Sequence, residues 1–394
     1  MIRFAAVLLA GLAMDAAVPE LFERVRDKVV DNTSRVPRYT CVQTINRAQY
    51  RPQYGRKFAG CGGYIAAREE LLSPGYLLWR DRLRLDVAVL NGRETFAWAG
   101  AREFETTDIE QLAASGSSGS GDFALFLSSV FGTETTRISL LREEKETAVF
   151  GFDVPLNASR YVYRSHGTGA QRGIGYHGTF LVDERLSDLK RLTVEADHFP
   201  VDENMCRVEN VMDYHRVKIG DGDFLLPETA KMTVLFNDGE EAQNETHYSN
   251  CREYGAESSI SFGDDDAGTR DDSRVRLSPI KTQLPSNLRL QIGLKSPIRS
   301  ETAAAGDEVT GVILHDVKDV ARANDIVHGR ILRLEQFMFP LPRWVVALRF
   351  TRIEHNGVEL PLDLKPTKGD GVFTFQQIGN LVLDQKFHSE WETR

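Results

Sequence analysis

Alternating apolar and polar residues dominate the chain up to about residue 262. The clearest segment is RLRLDVAVL, in which four apolar residues share one side of an extended strand: Leu83, Leu85, Val87 and Val89. The Asn91-Gly92 pair that follows is typical of a tight hairpin turn. Segments of the same kind, separated by Gly, Asp and Asn, predict about eleven strands. Because helices do not alternate regularly with these strands, the pattern favours one large antiparallel sheet.

Three segments have helical patterns instead. VPELFERVRDKVVDNTSRV has apolar residues at a helical period, so we expect an amphipathic helix from about Pro19 to about residue 31. In TTDIEQLAASG, Thr107 and Glu110 have capping-box spacing, which predicts a short helix ending at Gly116. DFALFLSSVFG predicts an apolar helix capped by Asp122, with a stripe of Phe123, Phe126, Leu127 and Val130 and with Phe131 beside it. It follows the tract SGSSGSG, whose composition is typical of a flexible tether.

A composition change divides the chain. GDDDAGTRDDSR is charged, rich in glycine and poor in apolar residues, which is typical of a linker. Beyond it, LRLQIGLKSPI alternates again and WVVALRFTRIEHNGVELPLDL predicts a hairpin around Asn356-Gly357. We therefore expect a first domain over residues 18–262, an acidic linker over 263–282 and a small all-β barrel or sandwich domain over 283–394.

The N-terminus predicts export. Arg3 precedes an apolar run from Phe4 to Met14, and small residues follow, so residues 1–17 have the outline of a signal peptide with cleavage between Ala13 and Ala17. A short buried helix is the alternative. The net charge of −9 and the absence of a long basic run argue against nucleic acid as a partner. We expect a periplasmic or secreted protein.

The four cysteines fit that location, because thiols outside the cytosol generally pair. We expect Cys41, Cys61, Cys206 and Cys251 to form two disulfides. Four cysteines allow three connectivities; closeness in sequence favours Cys41 with Cys61 and Cys206 with Cys251 without excluding the others. A zinc site is disfavoured because there is no Cys-x-x-Cys pair and the histidines His198, His215 and His247 lack ligand spacing. We predict no metal site and no cofactor.

No catalytic motif stands out. SGSSGSG lacks the spacing and context of a nucleophilic serine, and phosphate-loop, dinucleotide and His-Glu-x-x-His patterns are absent from the sequence. We therefore predict that the protein is not an enzyme and has no catalytic residues.

An N-terminal helix followed by one antiparallel sheet with apolar helices inserted in it resembles the periplasmic lipoprotein-carrier half-barrel (LolA/LolB-like). The segments VPRYTCVQTINR, GDFALFLSSVFG, YHGTFLVDERLSDLKRLTVEAD, IGDGDFLLPETA and NCREYGAESSISF are also similar to those of secreted proteins of soil bacteria such as the Acidobacteria. The resemblance covers most of residues 19–262. It implies a curved sheet around an apolar cavity that holds acyl chains. The lid over that cavity would be the helix of Phe123, Phe126, Leu127, Val130 and Phe131.

Three functions remain open. The first is a non-catalytic carrier or binder of an apolar or acylated ligand, such as a lipid or a lipoprotein. The second is an envelope interaction protein in which the half-barrel is filled, the same apolar stripe is permanent core and the C-terminal domain binds a protein or glycan. The third, a hydrolase, is disfavoured because no nucleophile, base and orienting group occur together. A fatty chain would gain about 0.8 kcal/mol for each buried methylene, offset by displacement of the lid.

Overall fold

The protein is mainly β and divides into two compact units, Met1–Tyr254 and Gly255–Arg394. The structure is a computed structural model that describes residues 10–52, 60–70, 75–90, 93–101, 104, 106, 109–113, 116, 119, 125–165, 168–200, 202–254, 285–317, 321–355, 357–367 and 371–394, with backbone only at 10–19, 90 and 93. The predicted linker, residues 263–282, lies outside this set. No helix in the described part of the chain is long and apolar enough to cross a membrane.

The first unit contains three α-helices and twelve strands among its described residues. The helices are α1 (Ala10–Arg35), α2 (Gly60–Glu70) and α3 (Leu125–Phe131). The strands are β1 (Tyr39–Arg51), β2 (Tyr76–Leu90), β3 (Arg93–Trp98), β4 (Arg137–Glu144), β5 (Thr147–Val154), β6 (Val162–Arg164), β7 (Gln171–Gly173), β8 (Tyr176–Asp183), β9 (Asp188–Ala196), β10 (Met205–Ile219), β11 (Gly222–Phe236) and β12 (Glu241–Glu253).

Ten of these strands form one antiparallel sheet in the order β3-β2-β1-β12-β11-β10-β9-β8-β5-β4, and β6 pairs with β7. The large antiparallel sheet predicted from alternation is therefore confirmed. The alternating residues of β2, from Leu83 to Val89, are buried on one face. Leu90 pairs with Arg93, so β2 and β3 are joined by the two residues predicted as a turn.

Helix α1 packs against one face of this sheet, which we call the inner face. Leu21, Val25 and Val29 are buried beneath it, as the helical period predicts. Polar contacts fix its position: Asn32 donates to the Leu225 carbonyl over 3.0 Å and accepts from the Leu225 amide over 2.7 Å.

Two helix boundaries differ from the sequence prediction. Helix α1 begins at Ala10, well before Pro19, and continues to Arg35. Residues 10–18, which precede Pro19, are mainly Ala, Leu and Met, and these residues have high helix propensity. Among its described residues, 106, 109–113 and 116, the segment predicted to be helical up to Gly116 has one 3-10 turn, Ile109–Gln111. Ile109 is its single buried residue, and so short a segment gains little from helix formation.

All four cysteines are paired, but not in the connectivity that sequence closeness favoured. Cys41 bonds to Cys251, and Cys61 bonds to Cys206. The first bridge joins the neighbouring strands β1 and β12, where a bulge brings the two Cα atoms to 4.1 Å. The second joins α2 to β10. Proximity in the fold, rather than closeness in sequence, decides the pairing, because loop closure becomes only slowly less favourable with length.

The second unit has its own β structure and core. Its strands are β13 (Arg289–Leu294), β14 (Ile298–Arg299), β15 (Glu308–Ile313), β16 (Ile326–Phe337), β17 (Arg343–His355), β18 (Val358–Pro361), β19 (Leu364–Pro366), β20 (Val372–Phe375), β21 (Val382–Leu383) and β22 (His388–Thr393). The predicted hairpin at residues 356–357 joins β17 to β18, with His355 opposite Val358. Its core includes Phe350 and Trp391, whose rings meet edge to face at 5.5 Å.

Hydrogen bonds close the main strands of the second unit into a ring. The consecutive strands β18 and β19 pair with β17 and β22 respectively, and β22, β13, β15, β16 and β17 are paired in that order. Between β18 and β19, the Leu362 amide donates to Thr351 and the Arg394 amide donates to Asp363. This is the small barrel of the two alternatives that the sequence allowed.

Candidate functional site

Cross-strand register arranges the inner face of the first unit in rows. Directly opposite residues of antiparallel strands point to the same face, so each row can be read from the pairing. One row is almost wholly apolar and runs Leu83, Ile45, Thr246, Ala230, Met212, Leu192, Phe180, Phe150. The adjacent row runs Asp81, Arg47, Asn244, Met232, Asn210, Val194, Gly178, Phe152. The inner face is therefore polar toward β2 and aromatic toward β5.

The aromatic part of the inner face lies beneath α3. Phe150 and Phe180 stack with their centroids 5.0 Å apart, and Phe131 of α3 meets Phe180 edge to face at 5.0 Å. Phe126 meets Tyr161 at 5.2 Å and Tyr176 at 5.6 Å, both edge to face. Such edge-to-face geometries are favoured by the ring quadrupoles. Helix α3 thus closes over a floor of aromatic rings.

The polar part of the inner face contains a buried ion pair. Arg47 is only 2% exposed, and its Nε and Nη2 donate to the two carboxylate oxygens of Asp81 over 2.9 and 2.5 Å. The guanidinium also lies 5.5 Å from the ring centroid of Trp79. A bidentate pair of this kind fixes the orientation of the arginine.

Within the described part of the first unit, three buried polar atoms on the inner face have no hydrogen-bond partner. They are Gln43 Oε1, Arg47 Nη1 and Tyr176 Oη. Burial raises the pKa of Tyr176 to about 12, with Ser129 opposing this shift and Tyr161 adding to it, so the phenol is protonated at neutral pH. Buried polar groups are normally paired, and an unmade bond costs about 1–3 kcal/mol. The two donors and one acceptor can therefore serve a polar ligand group.

Two glycines of the SGSSGSG tract lie directly against the polar part of this face. A Cβ at Gly116 would overlap the Trp79 ring and lie 3.4 Å from Arg47 Nη1, and Gly116 has a φ of +85°. A Cβ at Gly119 would lie 2.9 Å from Met232 Sδ. Both positions therefore need glycine for close approach, and Gly116 lies beside Arg47 Nη1.

The predicted lid residues are brought together by α3. Phe126, Leu127, Val130 and Phe131 are each at most 3% exposed. Phe123 lies outside the described residues. The apolar stripe is therefore buried against the sheet, and its role as a removable lid stays a prediction.

The outer face carries a second group of chemically active side chains. His177 on β8 is directly opposite Glu195 on β9, and Asp197 follows two residues later. One potential ligand atom from each of the three lies within 4.8 Å of the others. A cleft of about 390 Å³ adjoins them and is lined in part by Tyr163, Arg172, His177 and His198. The proximity of His177 to His198 is not visible in the sequence, because it depends on strand register.

No protein-family model, curated protein or solved structure matches the chain. The fold and these sites define a mainly β protein with two disulfides and a helix-covered, part-polar sheet face. Disulfides of this kind are typical of an oxidising, extracytoplasmic compartment.

Proposed function

We propose that this chain is a non-catalytic cell-envelope protein that binds or carries an acylated amphiphile on the inner face of a lidded half-barrel. The observation that carries the proposal is the combination on one covered face of an aromatic floor and three buried polar atoms without partners. A purely structural core would gain nothing from leaving these polar atoms unpaired.

The acyl chain would occupy the space over Phe150 and Phe180 after α3 moves away. Each buried methylene contributes about 0.8 kcal/mol, so a long chain can offset the contacts that Phe126 and Phe131 lose. A carboxylate or ester carbonyl at the head of the ligand would accept a hydrogen bond from Arg47 Nη1. Charge-assisted bonds of this type are the stronger ones, which favours a carboxylate head.

The disulfides and the N-terminal sequence bear on the cellular location of the protein. Two disulfides suit an oxidising compartment, and the apolar N-terminal run behind Arg3 has the outline of an export signal. We propose a periplasmic or secreted protein, like the lipoprotein carriers that the sequence resembles. Lipoproteins are then candidate sources of the acyl chain.

The burial of α3 favours a second candidate. If Phe126, Leu127, Val130 and Phe131 are permanent core, the protein is an interaction module whose half-barrel is filled. Phe339 and Leu341, between β16 and β17, are 57% and 61% exposed and offer an apolar contact for a protein partner in that case.

Native mass spectrometry of the mature protein, followed by organic extraction, tests the proposal. We expect co-purified acyl species, and saturable binding of a fluorescent fatty acid by the extracted protein. A fluorescent alcohol of the same chain length is the matched probe and should bind more weakly, because it lacks the carboxylate. Failure of both probes to bind the extracted protein would favour the interaction module.

A further inference from the structure

We propose that the outer face of the first unit binds one zinc-class divalent cation through His177, Glu195 and Asp197. The site is independent of the amphiphile proposal. Successive strand residues point to opposite faces, so His177 points away from the inner face to which Tyr176 contributes.

The scaffold of the proposed site is the pairing between β8 and β9. His177 and Glu195 are directly opposite, and Asp197 lies one residue beyond the end of β9, with a carboxylate oxygen within 4.8 Å of the other two ligand atoms. His177 Nδ1 and Asp197 Oδ1 are 4.0 Å apart. Zinc ligands lie about 2.0–2.2 Å from the metal in a tetrahedral arrangement, which places two ligand atoms about 3.3–3.6 Å apart. Small side-chain rotations would bring the ligand atoms of His177, Glu195 and Asp197 within bonding distance of one zinc ion.

Asp197 provides the second observation. Its Oδ1 atom is buried and accepts no well-directed hydrogen bond, although His198 Nδ1 lies 2.6 Å from it. Two such groups at this distance converge on the same small volume. A cation bound beside Asp197 would satisfy the carboxylate, and the His177 imidazole would donate a nitrogen lone pair to the same ion.

The charges around the cluster leave room for a cation. Arg207 is one neighbouring positive group, and its Nη1 lies 3.9 Å from Glu195 Oε1 and 3.4 Å from Glu69 Oε1. The Glu69 carboxylate therefore partly compensates the positive charge of Arg207. Arg172 lines the adjoining cleft and lies 3.4 Å from Glu203 Oε1, and Arg137 is opposite Asp153. Asp153 lies opposite His177 on β5 and adds a further carboxylate to the same side of the sheet.

The identity of the ligands favours zinc over calcium or magnesium. Imidazole nitrogens suit Zn²⁺ and its neighbours in the transition series, whereas Ca²⁺ and Mg²⁺ prefer oxygen ligands alone. The adjoining cleft is lined by both His177 and His198. A coordination position left open toward this cleft would hold water or a small anion.

Isothermal titration of the tag-free mature protein, freed of metal with a chelator, tests the inference. We expect one Zn²⁺ per chain, a higher melting temperature with Zn²⁺, and no comparable binding of Mg²⁺. H177A and D197N should each weaken Zn²⁺ binding by at least about 10-fold, which is the scale of even an outer ligand-supporting contact.

H247A is the matched control, because His247 is an exposed strand histidine of the same unit outside the cluster. It should bind Zn²⁺ as the unsubstituted chain does. The side chains of His177 and Asp197 are 41% and 28% exposed, so both variants should fold, and circular dichroism checks this. Unchanged affinity in H177A and D197N, an equal loss in H247A, or no binding below millimolar Zn²⁺ would overturn the inference.

Discussion

Arg47 on β1 and Asp81 on β2 are directly opposite each other and form a bidentate ion pair with side chains only 1% and 2% exposed. Removing two charges from water is unfavourable, and apolar residues in their place are often as stable or more stable. The pair nevertheless leaves Arg47 Nη1 without a partner. The carboxylate of the proposed ligand would accept a hydrogen bond from this atom.

The ion pair gives the first prediction. Asp81→Asn should lower the free energy of unfolding of the first unit by about 3–5 kcal/mol, because it leaves the Arg47 charge buried and unpaired. Replacing both residues, as Arg47→Met with Asp81→Leu, should restore most of the stability. The double variant should nevertheless bind a fluorescent fatty acid at least about 10-fold more weakly, since it lacks the guanidinium.

Urea denaturation and probe titration measure the two effects separately. The chain-length-matched fluorescent alcohol is the control ligand, and its affinity should not fall in the double variant. If the double variant is stable and binds the fatty acid normally, the head-group role of Arg47 is wrong.

The second prediction concerns α3. In a lid, Phe126→Asp can be accommodated by outward movement of the helix, so stability should fall by less than about 2 kcal/mol and the fatty-acid probe should associate faster. Phe150→Asp is the control, because it places an unpaired charge within the sheet and should cost several kcal/mol. Thermal melting measures the stability of each variant, and stopped-flow fluorescence measures the association rate of the probe. Equal destabilisation by both substitutions, with no probe binding to the unsubstituted chain, would make α3 a core element.

The third prediction tests the cover over Arg47. Gly116→Ala should destabilise the unit through the strain of a positive φ, about 1–2 kcal/mol, and through overlap with the Trp79 ring. Gly169→Ala is the matched control, because Gly169 also has a positive φ but no heavy atom lies within 4 Å of the added Cβ. We expect Gly116→Ala to lose more stability than Gly169→Ala and to bind the fatty-acid probe faster. Equal effects of the two substitutions on both measurements would argue that the tract does not cover the site.

Local pattern predicts much of the fold. The alternation from Leu83 to Val89 and the Asn91-Gly92 turn identify β2, β3 and their hairpin, because a half-buried strand has a period of two wherever it lies. Helix α2 was not predicted. Its segment contains three glycines, and Ala67 is its single buried residue. Its position depends on the Cys61–Cys206 bridge and on the ion pair between Arg68 and Glu241, which are tertiary contacts.

The candidate sites were harder to find from sequence for the same reason. The stripe of Phe126, Leu127, Val130 and Phe131 was visible because its period is local. Arg47 has no such signal, since only pairing with Asp81 makes a buried arginine favourable. His177 and Glu195 are far apart in the chain and meet only through the register of β8 and β9. The spacing of residues within one strand does not determine how that strand is aligned with its neighbour.

The fourth prediction concerns the disulfides. Peptide mapping without reduction should recover the pairs Cys41–Cys251 and Cys61–Cys206, and alkylation of the unfolded, unreduced chain should label only a trace of thiol. In the chain-entropy account, a bridge across 210 residues contributes roughly 5 kcal/mol. A Cys41→Ser, Cys251→Ser double variant should therefore melt at a lower temperature. Recovery of a Cys41–Cys61 peptide would contradict the strand pairing of β1 with β12.

The last prediction concerns how pH affects the docking of α1. Asp188, at the start of β9, binds Lys28 of α1 over 3.0 Å and Arg216 of β10 over 2.6 Å. Burial by itself raises the pKa of Asp188, but the hydrogen bonds and charges of Arg216 and Lys28 outweigh it, so this pKa lies below its usual value. A depressed folded pKa stabilises the protein above the unfolded value of about 4, and this contribution is lost as pH falls through the folded pKa.

Asp188→Asn should therefore lower stability at pH 7 by about 1–3 kcal/mol, the scale of hydrogen bonds to charged groups, and should flatten the loss of stability below about pH 4. Asp31→Asn, on α1, is the matched control. Asp31 forms an exposed ion pair with Arg35, so its substitution should lower stability by about 0–1 kcal/mol. Urea denaturation between pH 7 and pH 2 compares the two variants with the unsubstituted chain. If Asp188→Asn retains the full acid-dependent loss, Asp188 does not control the docking of α1. That result would direct attention to the apolar contacts of Leu21, Val25 and Val29, which do not change with pH.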